Sequence, residues 1–132
     1  MTIQNVSKAV SRTILVVEDE RPLLEVIRLK LENSGFDIIT ARSAEQAIDF
    51  LKHVGSVDLV WLDHYLLGKN NGVSFVEFLK KHKEWQQIPI LVVSNSSSDE
   101  TRQQYLKIGV NRFYVKAETP LEVILKDVKS LL

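Results

Sequence analysis

The chain has no cysteine among its 132 residues, which excludes a disulfide scaffold, a thiolate zinc site and thiol-based catalysis. It has no excess charge of either sign, because 17 Lys and Arg balance 17 Asp and Glu. That balance argues against a function built on non-specific attraction to nucleic acid or to an anionic membrane. No apolar run approaches the ~18 residues that read as a bilayer span. The opening MTIQNVSKAVSR lacks the apolar core of a secretory signal, so a cytoplasmic protein is expected. What is present is ordinary for a folded globule: 45% hydrophobic and 26% charged residues, in a length that suits one domain.

Residues 1–12 are polar and poorly patterned and read as a flexible leader. Ile3, Val6 and Val10 form one apolar stripe, too short to hold a helix alone. From Thr13 the chain alternates between two textures. β-Branched runs occur at Ile14–Val17, Ile38–Ala41, Val57–Leu62, Ile88–Val93 and Phe113–Val115. Between them lie segments with apolar residues at helical spacing, such as Leu23, Leu24, Ile27 and Leu31. Pro22 suits a first helical turn, Ser43 a cap, and Thr119 a cap followed by Pro120 as the first helical residue. Gly35, Gly55 and Gly109 stand where helices should stop. The runs Ile14–Val17, Leu59–Leu62 and Ile90–Val93 are apolar throughout, as strands covered on both faces must be. The pattern predicts an α/β fold over 13–132, a doubly wound five-stranded parallel sheet with helices on both faces.

In open parallel sheets, ligands bind beyond the carboxyl ends of the strands, where the strand order reverses. Beyond the five runs stand Glu18-Asp19-Glu20, Ala41-Arg42, Asp63-His64-Tyr65, Ser94-Asn95 and Lys116. Each alone has a plain reading: a carboxylate or serine caps the next helix, and a loop lysine is solvated. Together they are harder to dismiss. The flavodoxin-like strand order 2-1-3-4-5, a (βα)5 three-layer sandwich, would bring them to one concave edge. Three crowded carboxylates repel one another and call for a cation. Hard oxygen donors completed by water suit Mg²⁺, with Mn²⁺ able to substitute. Such an ion can hold a phosphoryl group against a carboxylate oxygen, with Ser94 and Lys116 as its remaining partners. The chemistry that fits is phosphoryl transfer onto an aspartate.

ILVVEDE at 14–20, LVWLDHYLLG at 59–68, ILVVSN at 90–95 and FYVKA at 113–117 resemble the receiver domain of two-component response regulators, over essentially residues 13–132. The resemblance implies a single-domain signalling phosphoacceptor that catalyses only its own phosphorylation and dephosphorylation. Asp63 would accept the phosphoryl group. Asp19 would bind the metal directly, with Glu18 assisting and the backbone carbonyl of Tyr65 as a further ligand. Ser94 would be the mobile hydroxyl, Lys116 the ion-pair partner, and Phe113 the aromatic that rotates inward. The implied donor is a sensor histidine kinase or phosphotransfer protein and the implied reader a downstream target protein, with no direct contact to nucleic acid or membrane.

Several positions depart from the family pattern. Glu18 stands where Asp is more usual. The stretch from Asp63 to Gly72 is one residue longer and lacks a customary proline, so a longer and more mobile loop is expected. Ala117 replaces a proline whose preceding bond is ordinarily cis; a trans Lys116–Ala117 bond is expected, because cis before a non-proline is costly. Asn111-Arg112 and an arginine-free last helix differ from the residues through which winged-helix regulators pair, so a monomer is expected. Tyr65 and Ser96, which would flank the path of a hydrolytic water, are poor bases, and a long-lived phosphoryl group is expected. The competing reading is a pseudo-receiver, a phosphorylation-independent interaction module, which ordinarily lacks the acceptor, the acidic pair or the lysine. A flavin carrier of this fold is disfavoured, since Glu18-Asp19-Glu20 would repel a phosphate. A haloacid-dehalogenase-type phosphatase needs an acid where Tyr65 stands. His53, His64 and His82 are scattered, and Trp61 and Trp85 read as packing residues.

Overall fold

The computed structural model describes residues 11–96 and 98–132, so all of the expected leader except Ser11 and Arg12 lies outside the described residues. Strands and helices alternate strictly: β1 (Thr13–Val17), α1 (Arg21–Asn33), β2 (Asp37–Ala41), α2 (Ala44–Val54), β3 (Leu59–Leu62), α3 (Gly72–Lys80), β4 (Ile90–Ser94), α4 (Asp99–Lys107), β5 (Arg112–Val115) and α5 (Leu121–Leu131). All strands are parallel and lie in the order β2-β1-β3-β4-β5. The fold class predicted from the sequence is therefore the one observed. The order reverses between β1 and β3, and that crevice is where such a sheet can receive a ligand.

Alternation along each strand divides the core in two. Ile14, Val16, Leu59, Trp61, Leu91 and Val93 pack with Leu24, Ile27 and Leu31 of α1 and Ile124 and Val128 of α5. Leu15, Val17, Val60, Leu62, Ile90 and Val92 pack on the opposite face with residues of α2, α3 and α4, among them Ala47, Phe75 and Tyr105. The inner strands β1, β3 and β4 are almost wholly buried, whereas the edge strands β2 and β5 are only partly so. Burying each such Leu, Ile or Val contributes roughly 1.5–3 kcal/mol, so both layers are needed to hold the sheet.

Element boundaries follow local chemistry. Ser43 caps α2 as expected, its hydroxyl accepting from Gln46 N–H at 3.0 Å, and Pro22 sits in the first turn of α1. Gly35, Gly55 and Gly109 all have φ near +100° (98°, 98° and 99°) past helix ends, a conformation that favours glycine. One expectation is corrected. Pro120 is itself the N-cap of α5, with an extended ψ of 144° and no side-chain cap bond, and the helix begins at Leu121. β3 and β4 start at Leu59 and Ile90, the fully apolar parts of the runs beginning at Val57 and Ile88, and ahead of β3 the sheet end is closed by Asp58. Its N–H donates to Thr13 O at 2.8 Å and its carboxylate accepts from Thr13 N–H at 2.7 Å.

Candidate functional site

The strand ladders continue one residue past β1, β3 and β5, and this aims the polar side chains. Glu18 N–H donates to Ala41 O and Asp63 N–H to Val17 O, each at 2.9 Å, and Lys116 N–H donates to Ser94 O at 2.8 Å. Their side chains converge at the crevice. Glu18, Asp19 and Asp63 each present a carboxylate oxygen, and these oxygens lie within 4.8 Å of one another. Lys116 Nζ donates to Glu18 Oε1 at 3.0 Å and lies 3.6 Å from Asp63 Oδ1.

Burial makes this cluster electrostatically uneasy. Glu18 is 0% and Asp63 4% exposed. Desolvation, reinforced by Asp63 and opposed by Lys116, pushes the Glu18 carboxyl up to about 7. Desolvation also raises Asp63, against the pull of Lys116. One ammonium faces three carboxylates, and Asp63 Oδ1 is buried without a hydrogen-bond partner. A buried acceptor left unpaired is costly, and an all-oxygen donor set of this charge fits a hard divalent cation. Tyr65 and Asn95 join these residues around an open cleft of about 350 Å³. Ser94 does not line it. Its side chain is fully buried and its hydroxyl accepts from Ser96 N–H at 3.2 Å.

Phe113, expected to rotate inward, is already inside: it is 7% exposed, with its ring centroid 5.8 Å from that of Tyr105 and the Arg102 guanidinium 5.9 Å from its centroid. The Lys116–Ala117 bond is trans, as the alanine predicts. The β3–α3 loop, expected to be longer and more mobile, is tied to other elements by several bonds. Leu67 N–H donates to Arg42 O at 3.3 Å in an isolated parallel bridge between Ser43 and Leu67. Asn70 Nδ2 donates to Glu45 Oε2, and Gly72 N–H to His64 O at 3.0 Å.

Sequence reasoning missed two contributors. Tyr105, fully buried on α4, pairs its hydroxyl with His64 Nδ1 at 2.6 Å, and a Cβ at Gly72 would collide with that hydroxyl. No local pattern pairs residues 41 positions apart. Burial holds the Tyr105 phenol well above its usual range and lowers His64, so this contact is a neutral hydrogen bond. Arg42 was visible at the end of β2 without a role; its guanidinium donates twice to the Asp19 carbonyl, from Nη2 at 2.8 Å and Nε at 3.1 Å.

The response regulator receiver domain family matches residues 14–128. The chain belongs to that family. The receiver is 32% identical over 114 residues to the phosphate regulon transcriptional regulatory protein PhoB of Escherichia coli, a match covering 86% of this chain and 49% of PhoB. It thus spans about half the length of the curated relatives it matches. Among solved structures, the non-phosphorylated HemR receiver domain from Leptospira biflexa superposes with a TM-score of 0.81 at 25% identity, covering 92% of this chain and 94% of that one. The chemotaxis protein CheY4 of Vibrio cholerae gives 0.83 at 21% identity over 93% of this chain and 100% of its own, and bears on the fold alone. Receivers are signalling domains of two-component systems. No described helix is long and apolar enough to cross a membrane.

Proposed function

We propose that this receiver is phosphorylated on Asp63 in a Mg²⁺-dependent reaction, with a histidine kinase or phosphotransfer protein as donor. The observation that carries the proposal is the cluster of Glu18, Asp19 and Asp63 carboxylate oxygens within 4.8 Å, with Lys116 Nζ 3.6 Å from an otherwise unpaired Asp63 oxygen. An Asp63 oxygen forms a bond to phosphorus as the donor's P–N bond breaks, and the departing imidazole takes up a proton. Asp19 would hold the cation directly, with Glu18 assisting and the Tyr65 carbonyl as a further ligand. Bound there, Mg²⁺ supplies charge neutralisation and orientation of the phosphoryl oxygens. Lys116 turns from Glu18 toward the new phosphoryl charge. The Ser94 hydroxyl exchanges its bond with Ser96 N–H for one donated to a phosphoryl oxygen.

Residues 13–132 form the receiver, a monomer acting in the cytoplasm through a downstream target protein and without its own contact to nucleic acid. It has no catalytic turnover beyond its own phosphorylation and dephosphorylation. Intact mass after incubation with a small acyl phosphate tests the reading. Wild type gains one phosphoryl group with Mg²⁺ or Mn²⁺ and none with EDTA, and Asp63→Asn gains none. Equal labelling of Asp63→Asn would overturn the assignment.

A further inference from the structure

Three loops meet at Arg42, and only one of its bonds comes from regular secondary structure. Its guanidinium donates two N–H groups to the carbonyl of Asp19, in the β1–α1 loop. Its own carbonyl accepts from Leu67 N–H, two residues past Tyr65 in the β3–α3 loop. Its N–H donates to Gln46 Oε1 at 2.8 Å, which fixes it against the first turn of α2. Arg42 makes no ion pair among the described residues. That is unusual for an arginine beside an acidic cluster, where a two-pronged bond to a carboxylate is the stronger option. Spending both prongs on a neutral carbonyl leaves the Asp19 carboxylate free.

We propose that Arg42 is a positioning residue for the divalent-cation site. It clamps the Asp19 main chain and holds the Tyr65-bearing loop to the same point, so that both loops present their ligands in register. The inference rests on the metal reading above. The β1–α1 loop is short and its inner hydrogen bond is local, from Glu20 N–H to Glu18 Oε2 at 3.1 Å. Without the clamp, Asp19 has no described bond holding its carbonyl to the rest of the protein. Outer-shell partners of metal ligands commonly change affinity by ~10–100-fold. An arginine could also act only through its charge, and the two roles differ in sign. A positive charge repels a cation, so removing it would tighten binding if charge were its main effect.

The test is Mg²⁺ titration of wild type, Arg42→Lys and Arg42→Met, read by the fluorescence of Trp61, which lines a cavity together with Lys116. Positioning predicts weakening of about tenfold for Arg42→Met and a smaller loss for Arg42→Lys, which keeps the charge but not the fork. Phosphoryl labelling at saturating Mg²⁺ then stays near the wild-type rate, with only the half-saturating concentration raised. Binding by Arg42→Met as tight as wild type, or tighter, overturns the proposal. A second arm needs no metal: hydrogen exchange at the Glu20 amide, which follows the clamped carbonyl, accelerates in Arg42→Met while the unfolding midpoint moves little. Unchanged exchange there also overturns it. Wild type that neither binds Mg²⁺ nor is labelled, yet shows the exchange difference, would fault the metal reading and leave the clamp as a structural device.

Discussion

Two loops flank the acidic crevice, and their described bonds run to different partners. The β3–α3 loop, which follows Asp63, is bonded outward to α2, to the end of β2 and to α4 through Glu45, Arg42 and Tyr105. The β4–α4 loop, which follows Ser94, is bonded among its described residues within itself and to the helix it leads into: Ser96 N–H donates to Ser94 Oγ, Ser98 N–H donates to Ser96 Oγ at 3.3 Å, and Ser98 Oγ caps α4 by accepting from Thr101 N–H. Outward bonds fix a loop to the frame, whereas short local bonds can be exchanged without disturbing a neighbour. Among the described bonds, the Asp63 side is thus tied to separate elements, and the Ser94 side to its own residues and the helix that follows. Precise placement is needed where ligands are shared, and freedom where one group must move.

The largest expected break in this contrast is Tyr105→Ala, which opens a cavity under the fixed loop and should cost about 3–5 kcal/mol of unfolding free energy. Tyr105→Phe isolates the bond to His64 and should cost about 1 kcal/mol; denaturant melts that match wild type would show that packing alone seats the loop. A pH series sharpens the same comparison at the buried carboxylates. The Glu18 carboxyl rises from 4.5 unfolded to about 7 folded, so the folded state binds more protons between those values. Its contribution to metal-free stability is greatest below about 4.5 and is lost as pH rises to about 7. Glu18→Gln should be less pH-dependent than wild type across that window. Added Mg²⁺ should stabilise wild type most at the alkaline end, and an identical pH slope in both proteins would refute the assignment.

The lifetime of the proposed phosphoryl group addresses the β4–α4 loop. Tyr65 lines the cleft and Ser96 Oγ accepts from Ser98 N–H, and neither side chain carries the acid or amide that would activate or orient a water. Tyr65→Asn combined with Ser96→Glu should hasten loss of the phosphoryl group, followed by intact mass after donor removal; unchanged decay would move control elsewhere. The smallest effect separates the loops directly. Asn70→Ala removes an outward bond and should cost up to about 1 kcal/mol, while Ser96→Ala should stay within ~0.5 kcal/mol. Equal costs would erase the distinction.

Much of this was legible in the residues. Period-two apolar runs and helical stripes mark elements whose partners are generic hydrophobic faces, so all five strands and helices occur in the predicted order, with ends shifted by up to two residues. Glu18, Asp19, Asp63 and Lys116 were legible because strand ends in a parallel sheet share one edge, whatever the packing detail. Pro120 misled because a proline suits both an N-cap and a first turn, and backbone ψ rather than residue type separates them. The bonds that tie the β3–α3 loop to α2 and α4 were not legible, because loop length says nothing about contacts with other elements.

The amino-acid sequence by itself determined the doubly wound sheet and the carboxylate cluster at its switch point, since both follow from periodicity and from the common direction of parallel strands. Only the tertiary structure decided that Tyr105 reaches His64, that Phe113 already lies inside, that Ser94 sits behind the cleft wall and that Arg42 grips Asp19. Each depends on the distance and direction between side chains on separate elements, and these are set by how the layers pack. One-dimensional spacing carries no such information.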